Sequence, residues 1–503
     1  MKTEHLGRRG LGACALGAVG SVVVPGVGHW LIRARIRPAV VVAIVANVVA
    51  SVVVGIIVAG VDGRSDLADV IANRTVFLGL ALCLLVLALT RLWSALDAAW
   101  LARPTGHSWR PYAAAGIACV VVIGGVAPLA VAADYVWETD RAVERVFSSG
   151  DAITANPSPL TTSTTDPATG TTTTTTAAPT TTLPRHTTTT SSLATTTTDS
   201  TTTTIATTTT APAFPGEDRV NVLLLGGDAG PDRWSMRTDS MIVVSIDPDT
   251  GDTAMISVPR NLRRLPFPPG TALAERYPDG FEEIANAVYT RVDSHRELAG
   301  GGDDAGAQAI KLGIAQLLGI PIHYYVLVDM AGFVDVVDAL GGIDIDVLKR
   351  VPSVGKRPDE KHPVPRWFEV GPQHMDGTVA LAYARIRSAD SDYGRMARQR
   401  CVLAGIAAAA TPKALAFGLT DLVAAFGAAV RSDIPRERLG EVAQLVDRYS
   451  QAGGQDAVRT LQLTPPVIDP ADWDPVEVRQ LVADLLAGTQ AEGAPPSLGA
   501  ACA

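Results

Sequence analysis

The chain has 503 residues, a formal net charge of −9 and 47% hydrophobic residues. The acidic balance argues against nucleic acid as a partner, because a reader of phosphate backbones carries a basic excess. The five cysteines show no metal-ligand spacing, which excludes the structural zinc modules.

Residues 1–150 read as a helical transmembrane region. Ala39–Gly60 carries no charge and has the length of a bilayer-spanning helix, about 20 residues. Thr75–Trp93 and Tyr112–Ala133 are runs of the same kind, giving expected spans at 39–60, 75–93 and 112–133. Leu11–Leu31 is also apolar, but Pro25, Gly26, Gly28 and His29 make it an ambiguous segment. Arg33, Arg35 and Arg37 precede the first span, and Arg91, Arg103, His107 and Arg110 surround the second connection. The positive-inside rule places both groups in the cytoplasm, so the chain leaves the third span on the outer side. The expected location is therefore the cell membrane, multi-pass, with an extracytoplasmic soluble domain.

Asp134–Gly150 reads as a short amphipathic helix at the outer surface. Residues 151–216 form a linker rich in Thr, Pro and Ala, with too few large apolar side chains to offset the entropy of ordering. As an extended spacer it would carry the next domain away from the bilayer.

In residues 217–411 strands and helices alternate, which predicts a layered α/β/α domain. Arg219–Gly226, Asp239–Asp247 and Thr253–Pro259 are apolar runs, and the turn chemistry of Pro248–Gly251 joins the last two as a hairpin. Asp304–Leu318 and Gly332–Leu340 have helical spacing, with strand-like His323–Val328 and Ile343–Val347 around them. Val379–Tyr383 and Ala397–Ala409 read as helices framing an arginine-rich stretch. Residues 412–503 read as a helical C-terminal extension packing on this domain, with helices over Asp421–Val430, Arg436–Tyr449 and Pro475–Leu486. Cys401 and Cys502 both lie in the exported part, so a disulfide between them is open.

Charged residues gather where the apolar strands begin or end: Asp228 after Gly226-Gly227, the Arg237-Thr238-Asp239 triplet, and Pro259-Arg260-Asn261. A fourth cluster runs from Arg385 and Arg387 through Asp392, Arg395, Arg398, Gln399 and Arg400. Strand ends are where open α/β sheets bind ligands. Asp228 and Asp239 could hold magnesium, which takes oxygen ligands and bridges phosphates. The arginines could clamp phosphate oxygens through paired hydrogen bonds. Arg385 and Arg387 would share one face of an extended segment, and at least one of Arg398 and Arg400 is expected to be an ordinary surface charge. From residue chemistry alone this is an anion or phosphate site.

The blocks NVLLLGGDAG, RTDSMIVVSIDPDTGDTAMISVPRNL, EIANAVYT, LGIPIHYYVLVDMAGFVDVVDALGGIDIDV and DGTVALAYARIRSADSDYGRMARQR occur in that order between Val220 and Leu403. Together they resemble the LytR-CpsA-Psr family. The resemblance implies a phosphotransferase that joins a polyprenyl-pyrophosphate-linked glycopolymer to peptidoglycan by a phosphodiester, with magnesium or manganese. It implies that Asp228 and Asp239 hold the metal and that Arg237, Arg260, Arg385, Arg387 and Arg395 hold the pyrophosphate, with Asp392 and Gln399 completing the pocket. Ala309–Leu340 would then be the candidate lining of a prenyl groove. Many members carry Asp after the hairpin arginine, where this chain has Asn261, so no base can be placed there. Hydrolysis of the same lipid by a pyrophosphatase, or lipid sensing without catalysis, are the alternative readings.

Overall fold

A computed structural model describes residues 38–61, 64–101, 110–147, 154–165, 172–177, 217–228, 236–302, 304–353, 364–386, 392–410 and 430–489. The ambiguous Leu11–Leu31 segment, the helix expected over Asp421–Val430 and Cys502 lie outside them.

The chain first builds helices α1 (Pro38–Ala59), α2 (Arg64–Ala72), α3 (Arg74–Leu101) and α4 (Arg110–Val146). Among the described residues, two helices are long and apolar enough to cross a membrane, Pro38–Ala59 and Arg74–Asp97. Aliphatic side chains such as Val42, Ile56, Leu82 and Leu89 face outward from them, as expected of a lipid-facing surface. Helix α4 takes in the third expected span and continues without a break through the stretch read as a separate amphipathic helix.

Within the Thr-rich region, β1 (Leu160–Thr165) pairs antiparallel with β2 (Thr172–Ala177), where an unordered linker was expected. β-Branched threonine suits a strand. The soluble domain follows with β3 (Val220–Gly227), β4 (Thr238–Ile246), β5 (Thr253–Val258), α5 (Ala272–Arg276), α6 (Val288–Asp293), α7 (Ala305–Leu318), β6 (Tyr324–Asp329) and α8 (Met330–Ala339). Next come β7 (Ile343–Val347), β8 (Val351–Pro352), β9 (Trp367–Phe368), β10 (Gly371–Met375), α9 (Gly377–Ala384) and α10 (Asp392–Ala409). Strand β11 (Val430–Ser432), α11 (Leu439–Gln451), β12 (Arg459–Gln462) and α12 (Pro475–Ala487) complete it.

The central sheet has the order β11-β6-β3-β4-β5-β12. Residues 412–503 are thus more than a helical extension, because they supply both edge strands. The β4–β5 hairpin forms as expected; Asp247 Oδ1 accepts from the amides of Asp249 and Thr250, and Gly251 takes a positive φ of 76°, which suits a residue without Cβ.

The two faces of the sheet differ. One packs Leu223, Leu225, Met241, Val243 and Ile256 against α6, α7 and α12 as the main core. On the other, α10 and α11 leave Val222, Leu224, Val244, Val326 and Val328 only partly covered. The layering is α/β/α, and the unequal cover of its two faces is a property of the tertiary packing.

The described residues on either side of the Thr-rich segment are both tied to the entry of β6. Ala155 exchanges two backbone hydrogen bonds with Ile322, while Asn221 accepts from the amide of His323 and donates to its ring Nδ1. The two ends are therefore held at neighbouring residues of one strand entry, roughly 10 Å apart, or two strand spacings. The last residue of the α4 segment, Phe147, packs among Val220, Tyr324, Ile434 and Leu445 of the soluble domain.

Candidate active site

Strand direction assembles the site. β3 runs antiparallel to β4, and β4 to β5, so the end of β3, the start of β4 and the end of β5 share one edge of the sheet. Three clusters 10 to 30 residues apart in sequence therefore meet as Asp228, Arg237 with Asp239, and Arg260. A register shift at Gly226/Gly227 marks the end of β3, a device that re-aims the residues following it. Gly226 lies so close to β4 that a Cβ there would sit 2.9 Å from Ser240 Cβ.

Asp239 is the hub. Its carboxylate accepts from Arg260 at 3.1 and 3.3 Å and from Asn286 Nδ2 at 3.1 Å. Arg395, 2% exposed, lies 3.7 Å away on the other oxygen. Burial pushes the Asp239 carboxyl upward, but Arg260, Asn286 and Arg395 together outweigh it and hold its pKa below the usual carboxylate value. Asp228 is paired with Arg385 at 3.5 Å, and its amide donates to the Arg237 carbonyl. Arg237 and Arg385 are exposed at the rim, whereas Arg395 is buried at the floor.

Of the sequence-predicted residues, Asp228 is ion-paired with Arg385, Asp239 is ion-paired with Arg260 and Arg395, and the Arg237 backbone carbonyl accepts from the Asp228 amide. Gln399 is half-buried one turn beyond Arg395 on α10. Asp392 opens that helix, with its side chain outside the described atoms, and Arg387 lies outside the described residues. Arg385 is the C-cap of α9, with helical φ and ψ of −98° and −4°, so the segment entering this cluster is not the extended one expected. Arg398 and Arg400 are both buried rather than surface charges. Arg398 donates to the Ile386 carbonyl at 2.5 Å, tying the end of α9 to α10. Arg400 faces Gln462 of β12, and burial lowers its pKa to about 10.

Ala309, Ile310, Ile314 and Ala315 are fully buried in the main core. They pack there rather than line an open groove. The half-covered face of Val222, Leu224, Val244, Val326 and Val328 is the apolar surface that leads to the site.

Asn286 is the residue that residue chemistry missed. It is 1% exposed, and the EIANAVYT block containing it carried a family signal but no charge to draw attention. Thr238 Oγ1, Asn261 Oδ1 and Asn286 Oδ1 are buried polar atoms with no hydrogen-bond partner among the described residues. Such atoms call for a ligand or ion. The Asp239 carboxylate with the Asn286 amide bonded to it, and Asp228 and Asn261 at the same end of the sheet, offer oxygen donors of the hard kind that magnesium favours. Three guanidinium groups, of Arg260, Arg385 and Arg395, around two carboxylates leave an excess of positive charge suited to a phosphate-bearing ligand.

Residues 183–475 match the LytR_cpsA_psr family. The polyisoprenyl-teichoic acid–peptidoglycan teichoic acid transferase TagU of Bacillus cereus is 29% identical over 223 residues, 44% of this chain and 62% of the relative. The corresponding transferase TagV of Bacillus subtilis is 35% identical over 173 residues, 33% of this chain and 37% of the relative. A crystal structure of B. subtilis TagV superposes with a TM-score of 0.39 at 26% identity, covering 54% of this chain and 97% of that one. The chain thus spans about 62% of the length of the TagU relative.

Proposed function

This chain belongs to the LytR-CpsA-Psr family, and on that premise we propose that it is a membrane-anchored phosphotransferase joining a polyprenyl-pyrophosphate-linked glycopolymer to peptidoglycan. The observation that carries the proposal is the convergence of Asp228, Arg237, Asp239, Arg260, Arg385 and Arg395 on one sheet edge, at the head of a half-covered apolar face. The names of the relatives, which transfer polyisoprenyl-linked teichoic acid to peptidoglycan, support the substrate class. The anchor is multi-pass in this reading, and the arginines flanking the spans place the domain outside the cytoplasm.

The prenyl chain lies along Val222, Leu224, Val244, Val326 and Val328, and the pyrophosphate rests among the arginines. An acceptor hydroxyl of peptidoglycan attacks the phosphorus that bears the glycopolymer. The bond to the bridging oxygen breaks, prenyl monophosphate leaves and the hydroxyl proton is released to solvent. Phosphoryl transfer is promoted chiefly by positioning and charge stabilisation, and Arg260 and Arg395 are held ready for both by Asp239. Asp239, kept ionised by these neighbours, is a weak proton acceptor, and Asn261 cannot act as one. Magnesium or manganese, when bound, adds positive charge at the phosphate oxygens; Asp228 and Asp239 would hold it, with Asn261 and Asn286 offering amide oxygens.

The test is prenyl-monophosphate release from a lipid-linked donor in the presence of peptidoglycan fragments, with and without magnesium. Arg260→Ala and Arg395→Ala are each expected to lose about 100-fold or more, the scale for removing one charge-stabilising donor. Leu224→Asn is expected to weaken long-chain donors while inorganic pyrophosphate still binds. Full turnover by both arginine variants would refute the reading.

A further inference from the structure

The soluble domain is seated on the ends of the membrane helices. Arg436, buried at the start of the segment that leads into α11, pairs with Asp140 of α4 at 2.6 Å and donates to the Ile71 carbonyl of α2 from Nε and Nη2, at 3.2 and 2.8 Å. The two ionic side chains are 7% and 4% exposed. Arg74, the first residue of α3, lies 3.4 Å from the other oxygen of Asp140 and pairs with Glu144 at 2.9 Å. The Asp140 carboxylate and Arg436 thus together tie α2, α3, α4 and the soluble domain.

The backbone is shaped for this contact. A Cβ on Gly440 would lie 1.5 Å from Asp69 Oδ1 of α2, so glycine lets α11 approach α2 closely. Burial raises the Asp69 pKa, with Asp66 acting in the same direction. Phe147 completes the junction by packing against the cluster of Val220, Tyr324, Ile434 and Leu445 below the half-covered sheet face.

A buried ion pair with four further backbone or ionic contacts is not what a domain on a loose stalk presents. We infer that this junction is a functional dock: it holds the half-covered apolar face with its lower end at the membrane and its arginine site at the upper end. From Val220 to Gly227 is eight residues, a rise of about 23 Å at strand spacing. A prenyl chain can follow that face from the bilayer to the site without crossing water. On either side of the Thr-rich segment, Ala155 and Asn221 are tied to the adjacent residues Ile322 and His323. The inference rests on the proposed lipid-linked substrate, which its test separates from the dock itself.

The experiment uses the full chain in lipid vesicles. Asp69→Cys with Gly440→Cys is expected to cross-link under mild oxidation; no cross-link would overturn the dock. Arg436→Glu leaves Asp140 facing a like charge and should weaken docking by more than about 100-fold. Gly440→Leu should undock by bulk. Both variants are expected to lose about tenfold or more of their turnover of a donor embedded in the vesicle, while turnover of a short-chain, water-soluble donor stays near that of the parent protein. Equal turnover of both donors by the undocked variants would overturn the positioning role. A parent protein that cross-links but turns over neither donor would sink the proposed function and leave the dock standing.

Discussion

Replacing Asp239 by Asn removes one charge and keeps the shape of the side chain. The parent carboxylate is 18% exposed and faces Arg260, itself 21% exposed, so solvent screens the pair only modestly. It receives charge-assisted hydrogen bonds from Arg260 and Asn286, each contributing about 1.5–3 kcal/mol, of which the amide recovers about 1 kcal/mol in a neutral bond. Arg395, at 2% exposure, is left beside a second guanidinium with less compensation. The expected net loss is about 2–4 kcal/mol, which in a domain of this size lowers Tm by roughly 5–10 °C. Inorganic pyrophosphate should reverse the loss, because it supplies the missing negative charge; at a hundredfold excess over Kd it returns about 2.7 kcal/mol. Its upward shift of Tm should be larger in the variant than in the parent protein. The carboxyl pKa is lowered on folding, so its contribution is complete above about pH 4 and fades as pH falls through the lower folded value. Parent and variant melts should therefore converge in acid. Thermal melts of the purified protein across pH, with and without pyrophosphate, provide the assay. An unchanged Tm, or a loss that pyrophosphate does not restore, would refute the reasoning about this cluster.

Three other outcomes are expected. Lys311 is fully buried, with Nζ 2.6 Å from Asp433 and 2.7 Å from the His323 carbonyl; Lys311→Met strands the Asp433 carboxylate and should cost about 3–5 kcal/mol, measured as a lower Tm that Asp433→Asn partly restores. Burial lowers the His323 pKa, and Lys311 acts the same way, against the opposing pull of Glu217. The unfolded chain therefore binds the proton more readily, so stability should fall as pH drops from about 7.5 to 5.5, with a flatter slope in His323→Gln; hydrogen exchange at Asn221 should rise in parallel. Cys401 is disulfide-bonded, and peptide mapping without reduction should find it linked to Cys502, whereas a partner within the membrane segments would contradict that pairing.

Several features were written locally and could be read from sequence. Ala39–Gly60 is apolar throughout, and hydropathy alone marks such a helix. The Pro248–Gly251 turn between two strand-length runs fixes the β4–β5 hairpin, and with it the side of the sheet on which Arg237, Asp239 and Arg260 meet. Charges at the ends of apolar strands mark themselves in sequence, as Asp228, Arg237 and Arg260 do. Asn286 was not found, because an uncharged residue in a short helical turn shows its value only when Asp239 is seen beside it.

Other features depended on contacts between distant parts of the chain. Strands β11 and β12 have three and four residues, too short for a period-two pattern, and their partners lie more than 100 residues away. Arg398 and Arg400 look like surface charges because sequence carries no signal for the Ile386 carbonyl or the β12 side chain that receives them. The Thr-rich composition says nothing about where the residues flanking it are tied. Ile322 and His323 hold those residues together, and Arg436 reaches across 296 positions to Asp140. The sequence determined which segments are apolar, which turn and which carry charge, because those are properties of neighbours along the chain. The tertiary structure alone decided which charges meet, which are buried and how the domain sits on its helices, because these depend on desolvation and close approach between residues remote in sequence.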